Sequence, residues 1–435
     1  MPADNMNHKE KGTSMKLMQR ILAAGLSLAL LAPAGAQAAN SEEEMRGVWV
    51  SSVYNLDYPT KKTVSADELK QQANQILDDC EQAGLNTVFL QVRPTSDALY
   101  DSDIFPWSHW LTGTQGTAPE DGFDPLEYWV DEAHRRGLEL HAWINPYRVT
   151  RDQNWEHLDP SNPAKTHSGW AVPYKDGNYY YDPGLPEVRE LVVDGAAEIA
   201  ENYDVDGIHL DDYFYPGADF NDAATYQKYG KGFDNLADWR RDNVNQLIAA
   251  LDEELHEIDP EIQFGVSPSG IWANKTTDPR GSDTRGYESY ASAYADSLAW
   301  MEAGTVDYII PQIYWEIGHS AADFATLTDW WISKTDGTDV KLYIGLAAYK
   351  CHDSSTPTWT TTKPIFDSLE YLAARPAVDG AVFFRYGSLN AVPGLREEIA
   401  AWYGEDHAPE NAFQSPEQAV TFAGMFSMFL TALLR

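Results

Sequence analysis

Two adjacent aspartates, Asp211 and Asp212, are the residues whose type and spacing point most directly to chemistry. They come directly after the run Ile208-His209-Leu210, near the end of a predicted strand. Neighbouring carboxylates repel each other, which raises the pKa of one of them and keeps it protonated near neutral pH. A carboxyl group in that state can donate a proton as a general acid, so the pair predicts acid-assisted bond cleavage, with both residues as catalytic candidates.

Further polar residues recur at alternate positions near the ends of short apolar runs. Alternate residues of a strand face opposite sides, so we expect one set to pack on helices and the other to converge on a common cleft. Glu316, which lies just beyond the apolar run 307–315, is a second candidate for the general acid. The candidate substrate-binding residues are Gln91, Arg93, Asn145, His209, Tyr213, Gln312, Tyr314, Trp315 and Glu316.

Eight apolar runs, each followed by a helix-like stretch, must position these side chains. Strands that alternate with helices imply parallel crossovers, and eight of them in one domain predict an α/β fold, a single (β/α)8 TIM barrel. An open doubly wound sheet is the competing interpretation, but no Gly-rich phosphate turn follows the first run. The runs are 46–53, 86–94, 139–146, 206–213, 263–269, 307–315, 341–349 and 379–386.

The connections between these elements differ in length on the two faces of the barrel. Helix-to-strand connections are as short as Gly84-Leu85, whereas strand-to-helix connections include 95–124 and 147–184. Barrel enzymes build their active sites from the strand-to-helix loops, so the long C-terminal-face loops predict a site there. These loops also carry many aromatic residues, such as Trp272 and Trp359, which are candidates for stacking on sugar rings. Three aspartates at the opposite ends of strands are expected to be structural: Asp206, Asp307 and Asp379.

The composition narrows the class of partner. The 435 residues are 43% hydrophobic, which excludes a disordered chain, and they carry 31 Lys and Arg against 67 Asp and Glu, a net charge of -36. A chain of this charge repels phosphate backbones, so we expect no nucleic-acid partner. Fifteen Trp and 24 Tyr favour a partner with flat apolar faces, and a glycan has them.

The two ends of the chain differ from the middle. Within residues 1–40, a basic segment is followed by an apolar run and then by small residues, which is typical of a signal peptide. This pattern predicts an exported protein that is extracellular or in the cell envelope. The barrel is expected over 41–405, and a polar linker and apolar tail over 406–435. The tail fits a helix docked on the domain, an interfacial helix or a short anchor, and the last two imply membrane contact. Cys80 and Cys351 are expected at opposite ends of the barrel, without a disulfide.

At these residues the chain resembles the glycosyl-hydrolase-like 10 family, formerly a domain of unknown function in bacterial secreted and envelope proteins. The resemblance implies a glycosidase-type barrel and a cell-wall or other complex-glycan substrate, with peptidoglycan strands as the leading candidate. The matching stretches lie on the strands of nearly the whole barrel: 46–50, 86–94, 142–148, 206–216 and 311–315.

The fourth strand is more distantly similar to two other glycosidase patterns. In the family-18 chitinase motif a catalytic Glu stands where this chain has Tyr213, which shifts the expected acid to Asp212. The alpha-amylase pattern would make Asp211 a nucleophile, but no Glu follows at the end of the fifth strand, Gly265 to Ser269, to serve as its acid.

We therefore expect a glycoside hydrolase that acts on a glycan containing N-acetyl sugars and needs no cofactor or metal. Adjacent strand residues point in different directions, so the two aspartates suit substrate-assisted cleavage, in which one orients the attacking acetamido group and the other protonates the leaving group. A non-catalytic glycan-binding protein on the same barrel is the alternative. A metal-dependent hydrolase using His209, Asp211 and His141 is disfavoured because Trp49-Val50-Ser51 replaces the His-x-His pair of many such barrels.

Overall fold

The structure is a computed structural model that describes residues 44–404. Its centre is a closed barrel of eight parallel strands, which confirms the predicted (β/α)8 TIM barrel. Around the barrel the strands follow the order β1-β10-β9-β8-β7-β6-β3-β2, and β4 and β5 form a separate antiparallel pair in the loop after β3. The strands are β1 (Met45–Val50), β2 (Thr87–Arg93), β3 (Glu139–Ile144), β4 (Ala171–Pro173), β5 (Tyr179–Tyr181), β6 (Gly207–Leu210), β7 (Gln263–Val266), β8 (Tyr308–Ile309), β9 (Lys341–Leu346) and β10 (Gly380–Phe383).

Helices surround the barrel, and the longer ones bury one face against it. The Ser65 side chain accepts a hydrogen bond from the Glu68 N–H and so caps the first helix at the predicted place. The helices are α1 (Ala66–Gln82), α2 (His109–Thr112), α3 (Pro125–Arg135), α4 (Pro163–Thr166), α5 (Pro186–Asn202), α6 (Ala223–Tyr229), α7 (Leu236–Ile258), α8 (Ser289–Ser292), α9 (Ser297–Ala303), α10 (Phe324–Thr335), α11 (Lys363–Ala373), α12 (Tyr386–Ala391) and α13 (Leu395–Gly404).

Three aspartates fasten the N-terminal face of the barrel, as predicted. Each lies just before a strand and accepts a hydrogen bond from a backbone N–H of the neighbouring strand. Asp206 accepts from Leu140 at 2.6 Å, Asp307 accepts from Phe264 at 2.7 Å, and Asp379 accepts from Leu342 at 2.8 Å. Their role is therefore structural, because they satisfy donors that would otherwise lack a partner at the start of a strand.

Aromatic side chains fill the interior of the barrel below its C-terminal mouth. Trp49, Phe89, Trp143 and Tyr308 belong to one buried cluster there. The Tyr308 hydroxyl hydrogen-bonds two buried histidines, His141 at 2.9 Å and His209 at 3.2 Å. The interior is thus a packed floor, and a ligand must bind above it.

Several predicted elements end earlier than the apolar pattern suggests. The sixth predicted strand was expected over 307–315, but β8 ends at Ile309, because Pro311 has no N–H to offer a sheet ladder. The predicted helix from 290 to 303 is two short helices, and Tyr294 between them has a left-handed backbone. The hairpin of β4 and β5 was not predicted.

Other predictions concern the cysteines and the chain ends. Cys80 and Cys351 are both buried and unpaired, as expected. Within the range 44–404, no helix is long and apolar enough to cross a bilayer. The predicted signal peptide, 1–40, and the linker and tail, 406–435, lie outside the described residues.

Candidate active site

The Asp pair lies where the fourth barrel strand turns into its loop. Strand β6 ends at Leu210, three residues before the predicted end, because the Asp211 carboxylate accepts a hydrogen bond from the Tyr213 N–H at 3.0 Å. This bond from a side chain to the backbone two residues ahead is an Asx turn, which draws the chain out of the sheet. Outside the strand the alternation of faces no longer holds, so Asp211 and Asp212 both line the same cleft.

A chain of buried amides holds Asp211 in place. Asn145, just past the end of β3, donates from Nδ2 to the second carboxylate oxygen of Asp211 at 2.5 Å. Gln91 of β2 donates from Nε2 to the Asn145 side-chain oxygen at 2.7 Å. The Gln91 oxygen in turn accepts from the backbone N–H groups of Ser52 and Val53, each at 3.0 Å. Asp211 therefore has a fixed orientation, because every member of the chain is hydrogen-bonded and buried.

Asp212 has a different environment. Burial, reinforced by the charge of Asp211, raises its pKa from 3.8 to about 7, although Arg148 and a hydrogen bond from Gln312 act in the opposite direction. Asp212 therefore keeps its proton to a higher pH than an ordinary aspartate does, as a general acid must.

The two aspartates open into a solvent-accessible cleft of about 300 Å³ at the C-terminal mouth of the barrel. This size falls within the range of small-molecule sites, and aromatic side chains make up much of its wall. The lining residues are Trp49, Ser51, Val53, Tyr54, Leu56, Gln91, Trp143, Arg148, Arg151, Asp211, Asp212, Tyr213, Ser267, Gln312, Tyr314, Tyr349 and Phe384.

Four of the predicted substrate-binding residues line this cleft directly: Gln91, Tyr213, Gln312 and Tyr314. Gln312 is held by its amide, which donates to the Ser267 carbonyl at 2.9 Å. The Tyr314 hydroxyl is enclosed but has no hydrogen-bond partner among residues 44–404. Because Tyr314 also lines the cleft, its hydroxyl is positioned to pair with a ligand there. Asn145 does not line the cleft, but it contacts the site through its hydrogen bond to Asp211.

Arg93 was expected to face the cleft, and the structure corrects this. A bulge shifts the pairing of β2 with β3 between Gln91 and Arg93, so the two side chains do not share a face. The Arg93 guanidinium lies over the Phe105 ring at 4.6 Å and against Gly195 of α5, where an added Cβ would lie 2.2 Å from Nη1. Arg93 therefore packs between the barrel and its helices.

Three other predicted residues lie near the cleft without lining it. His209 is in the floor, where it hydrogen-bonds Trp49 and Ser267 at 3.2 and 3.0 Å, and burial holds its pKa well below the ordinary value. Trp315 and Glu316 follow Tyr314 in the loop after β8. Although burial raises the pKa of Glu316, hydrogen bonds, one of them from Trp359, bring it below the ordinary value, so Glu316 is ionised and unsuited to act as the acid.

Comparisons with known proteins agree with this geometry. A model of the family described as glycosyl hydrolase-like 10 matches residues 44–361. The chain belongs to this family. The resemblance found in the sequence is confirmed, and the membership supports the predicted enzyme class, a glycoside hydrolase.

Two relatives and one solved structure extend the comparison. Glycosyl hydrolase YngK from Bacillus subtilis is 43% identical over 371 residues, which cover 83% of this chain and 72% of that protein. Glycosyl hydrolase DigH from Escherichia coli K12 is 41% identical over 374 residues, covering 80% and 84%. The glycoside hydrolase domain of PgaB (BpsB) from Bordetella bronchiseptica is similar in fold, with a TM-score of 0.53 over 82% of this chain and 98% of that domain, at 14% identity.

Within this glycosyl hydrolase-like barrel, the sequence prediction missed two cationic residues of the cleft, Arg148 and Arg151. Both follow β3 in a loop, and the signal that could have found them is their charge beside an Asp pair in a strongly acidic chain. Among residues 44–404, no group of three or more His, Cys, Asp or Glu side chains could hold a metal ion.

The aromatic residues of the loops divide into two groups. Trp272 and Trp359, expected as candidates for sugar stacking, are buried and serve as packing anchors. Tyr54, Tyr213 and Tyr349 are 48%, 44% and 47% exposed and line the cleft, so they are the rings open to a sugar.

Proposed function

We propose that this protein hydrolyses glycosidic bonds of a glycan that contains N-acetyl sugars, with Asp212 as the general acid. The observation that carries the proposal is the contrast within the Asp pair. One carboxylate is fixed by hydrogen bonds, and its neighbour in the same cleft has a pKa of about 7. A carboxyl group with a raised pKa is suited to the acid role, and a neighbour held by hydrogen bonds is suited to orient the substrate.

The geometry favours substrate-assisted cleavage. Asp212 gives its proton to the glycosidic oxygen while the bond from that oxygen to C1 breaks, and the carbonyl oxygen of the substrate acetamido group bonds to C1. Asp211 is suited to orient the acetamido N–H rather than to attack C1 itself, because Asn145 and the Tyr213 N–H already hold both of its oxygens. The free Tyr314 hydroxyl can donate to the acetamido oxygen. Water then opens the cyclic intermediate, and ionised Asp212 takes up its proton.

Peptidoglycan strands are the proposed substrate. They consist of N-acetyl sugars, and the exposed tyrosines of the cleft offer rings on which successive sugars can stack. The strongly acidic chain disfavours densely charged polymers. We also propose that the protein is exported, on the basis of the predicted signal peptide over 1–40. N-terminal sequencing of the protein recovered outside the cytoplasm tests this, since export without cleavage would show residue 1 intact.

The function is tested by incubating the full exported protein with peptide-free peptidoglycan strands, chitin oligosaccharides and a panel of other glycans, and by identifying the products by mass. We expect products from a glycan with N-acetyl sugars. General acid catalysis contributes about a hundred- to ten-thousandfold, so Asp212→Asn should slow turnover by that factor. A thiazoline mimic of the cyclic intermediate should inhibit. Products that form at the same rate with Asp211→Asn and Asp212→Asn would refute the assigned roles, and the absence of products from every glycan would refute hydrolysis.

A further inference from the structure

The cleft contains a buried cation that has no hydrogen bond or ion pair within residues 44–404. Arg148 is only 5% exposed, yet its Nε has no hydrogen-bond partner, and its guanidinium forms no hydrogen bond or ion pair with any of residues 44–404. Burial of an unpaired charge is unfavourable, so buried arginines are normally paired. Arg240 shows the usual arrangement in this protein: it is 1% exposed and donates to both carboxylate oxygens of Asp222 at 2.7 Å.

The loop around Arg148 is built to hold this side chain in the cleft. Its backbone forms an antiparallel bridge with Tyr180 of β5, which ties the loop after β3 to the hairpin. The guanidinium carbon lies 3.6 Å from the centre of the Tyr213 ring, close enough for a cation–π contact. Stacking on an aromatic ring leaves the N–H groups at the edge of the guanidinium free, which suits two parallel hydrogen bonds to a planar anion.

The neighbouring arginine is different. Arg151 also lines the cleft, but its Nη1 lies 3.4 Å from the Tyr180 hydroxyl and 3.8 Å from a carboxylate oxygen of Asp176. Its Nε lacks a hydrogen-bond partner among residues 44–404, as that of Arg148 does, but its Nη1 lies beside a carboxylate of the protein. Arg148, by contrast, forms no ion pair with any of residues 44–404, and its charge acts on Asp212 without a direct contact.

We propose that Arg148 binds a carboxylate on the sugar chain, so that the substrate is a glycan with a free acid group on a sugar next to the Asp pair. The proposal rests on the proposed function and adds the charge of its substrate. A single carboxylate per sugar repeat fits one unpaired guanidinium, whereas a densely charged polymer would be repelled by a chain of net charge -36. A carboxylate bound here would also offset the effect of Arg148 on Asp212, which lowers the pKa of the acid.

The test compares two forms of one glycan: peptide-free peptidoglycan strands with their carboxyl groups intact, and the same strands with those groups reduced to alcohols. A charge-assisted hydrogen bond commonly changes binding by about tenfold or more. We therefore expect the wild-type kcat/KM to fall at least about tenfold on the reduced strands. Arg148→Gln should cleave both forms slowly and equally, and Arg148→Lys should regain part of the preference. Arg375→Gln is the matched control, because Arg375 also stacks on a tyrosine, Tyr371 at 3.2 Å, but outside the cleft.

Each outcome bears on one of the two proposals. Equal wild-type rates on both forms, or a preference that persists in Arg148→Gln, would overturn the role of Arg148 and leave glycan hydrolysis standing. If no glycan is cleaved, calorimetry of the two forms against Asp212→Asn, with and without Arg148→Gln, still measures the carboxylate preference through Kd. Faster cleavage of hyaluronan, which alternates N-acetylglucosamine with a uronic acid, would support the carboxylate site but place the acid group on the sugar ring itself.

Discussion

The replacement Asp212→Asn is expected to stabilise the protein while it removes activity. Asn has nearly the shape of Asp but never ionises, so it cannot carry the charge that the site disfavours. In the wild type, burial and the charge of Asp211 raise the pKa of Asp212 from 3.8 to about 7. The folded protein therefore holds a proton that the unfolded chain has already released between those two pH values.

The sign and size of the effect follow from this difference. Below about pH 4 the carboxyl group is protonated in both states, and the variant and the wild type should be equally stable. Between about pH 4 and 7 the unfolded chain binds fewer protons than the folded one, so the wild-type free energy of unfolding falls as the pH rises. A difference of about three pH units corresponds to about 4 kcal/mol. Because Asp212 is partly exposed to water in the cleft, we expect about 2 kcal/mol in favour of Asn above pH 7.

Urea unfolding at pH 4.5 and pH 8.5 measures this effect, and hydrolysis of the glycan over the same pH range measures the activity. Wild-type turnover should decline as the pH rises through about 7, where Asp212 loses its proton. Asp219→Asn is the control, because hydrogen bonds from Lys175 and Tyr174 lower the pKa of Asp219, and its loss should give no gain at pH 8.5. The reasoning is refuted if Asp212→Asn is no more stable than the wild type at pH 8.5, or if its gain is the same at both pH values.

Two further predictions separate the residues that hold the site from those that hold the fold. Asn145→Leu should lower kcat by about ten- to a hundredfold with a smaller effect on KM, because Asp211 loses the donor that orients it. Steady-state kinetics tests this, and an unchanged far-ultraviolet spectrum shows that the variant is folded. An unchanged kcat would contradict the prediction. Arg93→Met should lower the free energy of unfolding by about 1–3 kcal/mol and leave KM unchanged, because Arg93 packs on Phe105 away from the cleft. A raised KM in the folded variant would show instead that Arg93 contributes to substrate binding.

The sequence predicted the barrel and the Asp pair because both depend on local patterns. Eight apolar runs with short and long connections have few other arrangements, and the structural aspartates at the N-terminal ends of strands hydrogen-bond as expected. Gln91, Asn145 and Asp211 also come together as expected, although Asn145 and Asp211 lie one residue beyond the ends of their strands, and the structure joins them in one hydrogen-bonded chain.

The sequence prediction fails where a bulge changes the face of the strand on which the following side chains lie. Gln91 and Arg93 have the spacing of two side chains on one face, but the bulge between them moves Arg93 to the helix side. A bulge leaves no mark in an apolar pattern, because the run reads the same with or without it. The importance of Arg148 was hidden for a different reason: whether a charge has a partner depends on residues distant in sequence, here the hairpin 171–181 and the ring of Tyr213.

The two aspartates owe their different properties to the strands on either side of them. Asp211 accepts a hydrogen bond from Asn145, just past the end of β3, and Gln91 of β2 holds Asn145 in turn. Asp212 interacts electrostatically with Tyr314, whose ring lies 5.9 Å from that of Phe384, so an aromatic wall replaces water around the acid without supplying a compensating cation. The charge of Arg148 lowers the pKa of Asp212, and a substrate carboxylate would neutralise that charge. Binding of an acidic sugar would thereby raise the pKa of Asp212 and keep it protonated when the substrate is bound. This effect would couple substrate recognition to protonation of the leaving group.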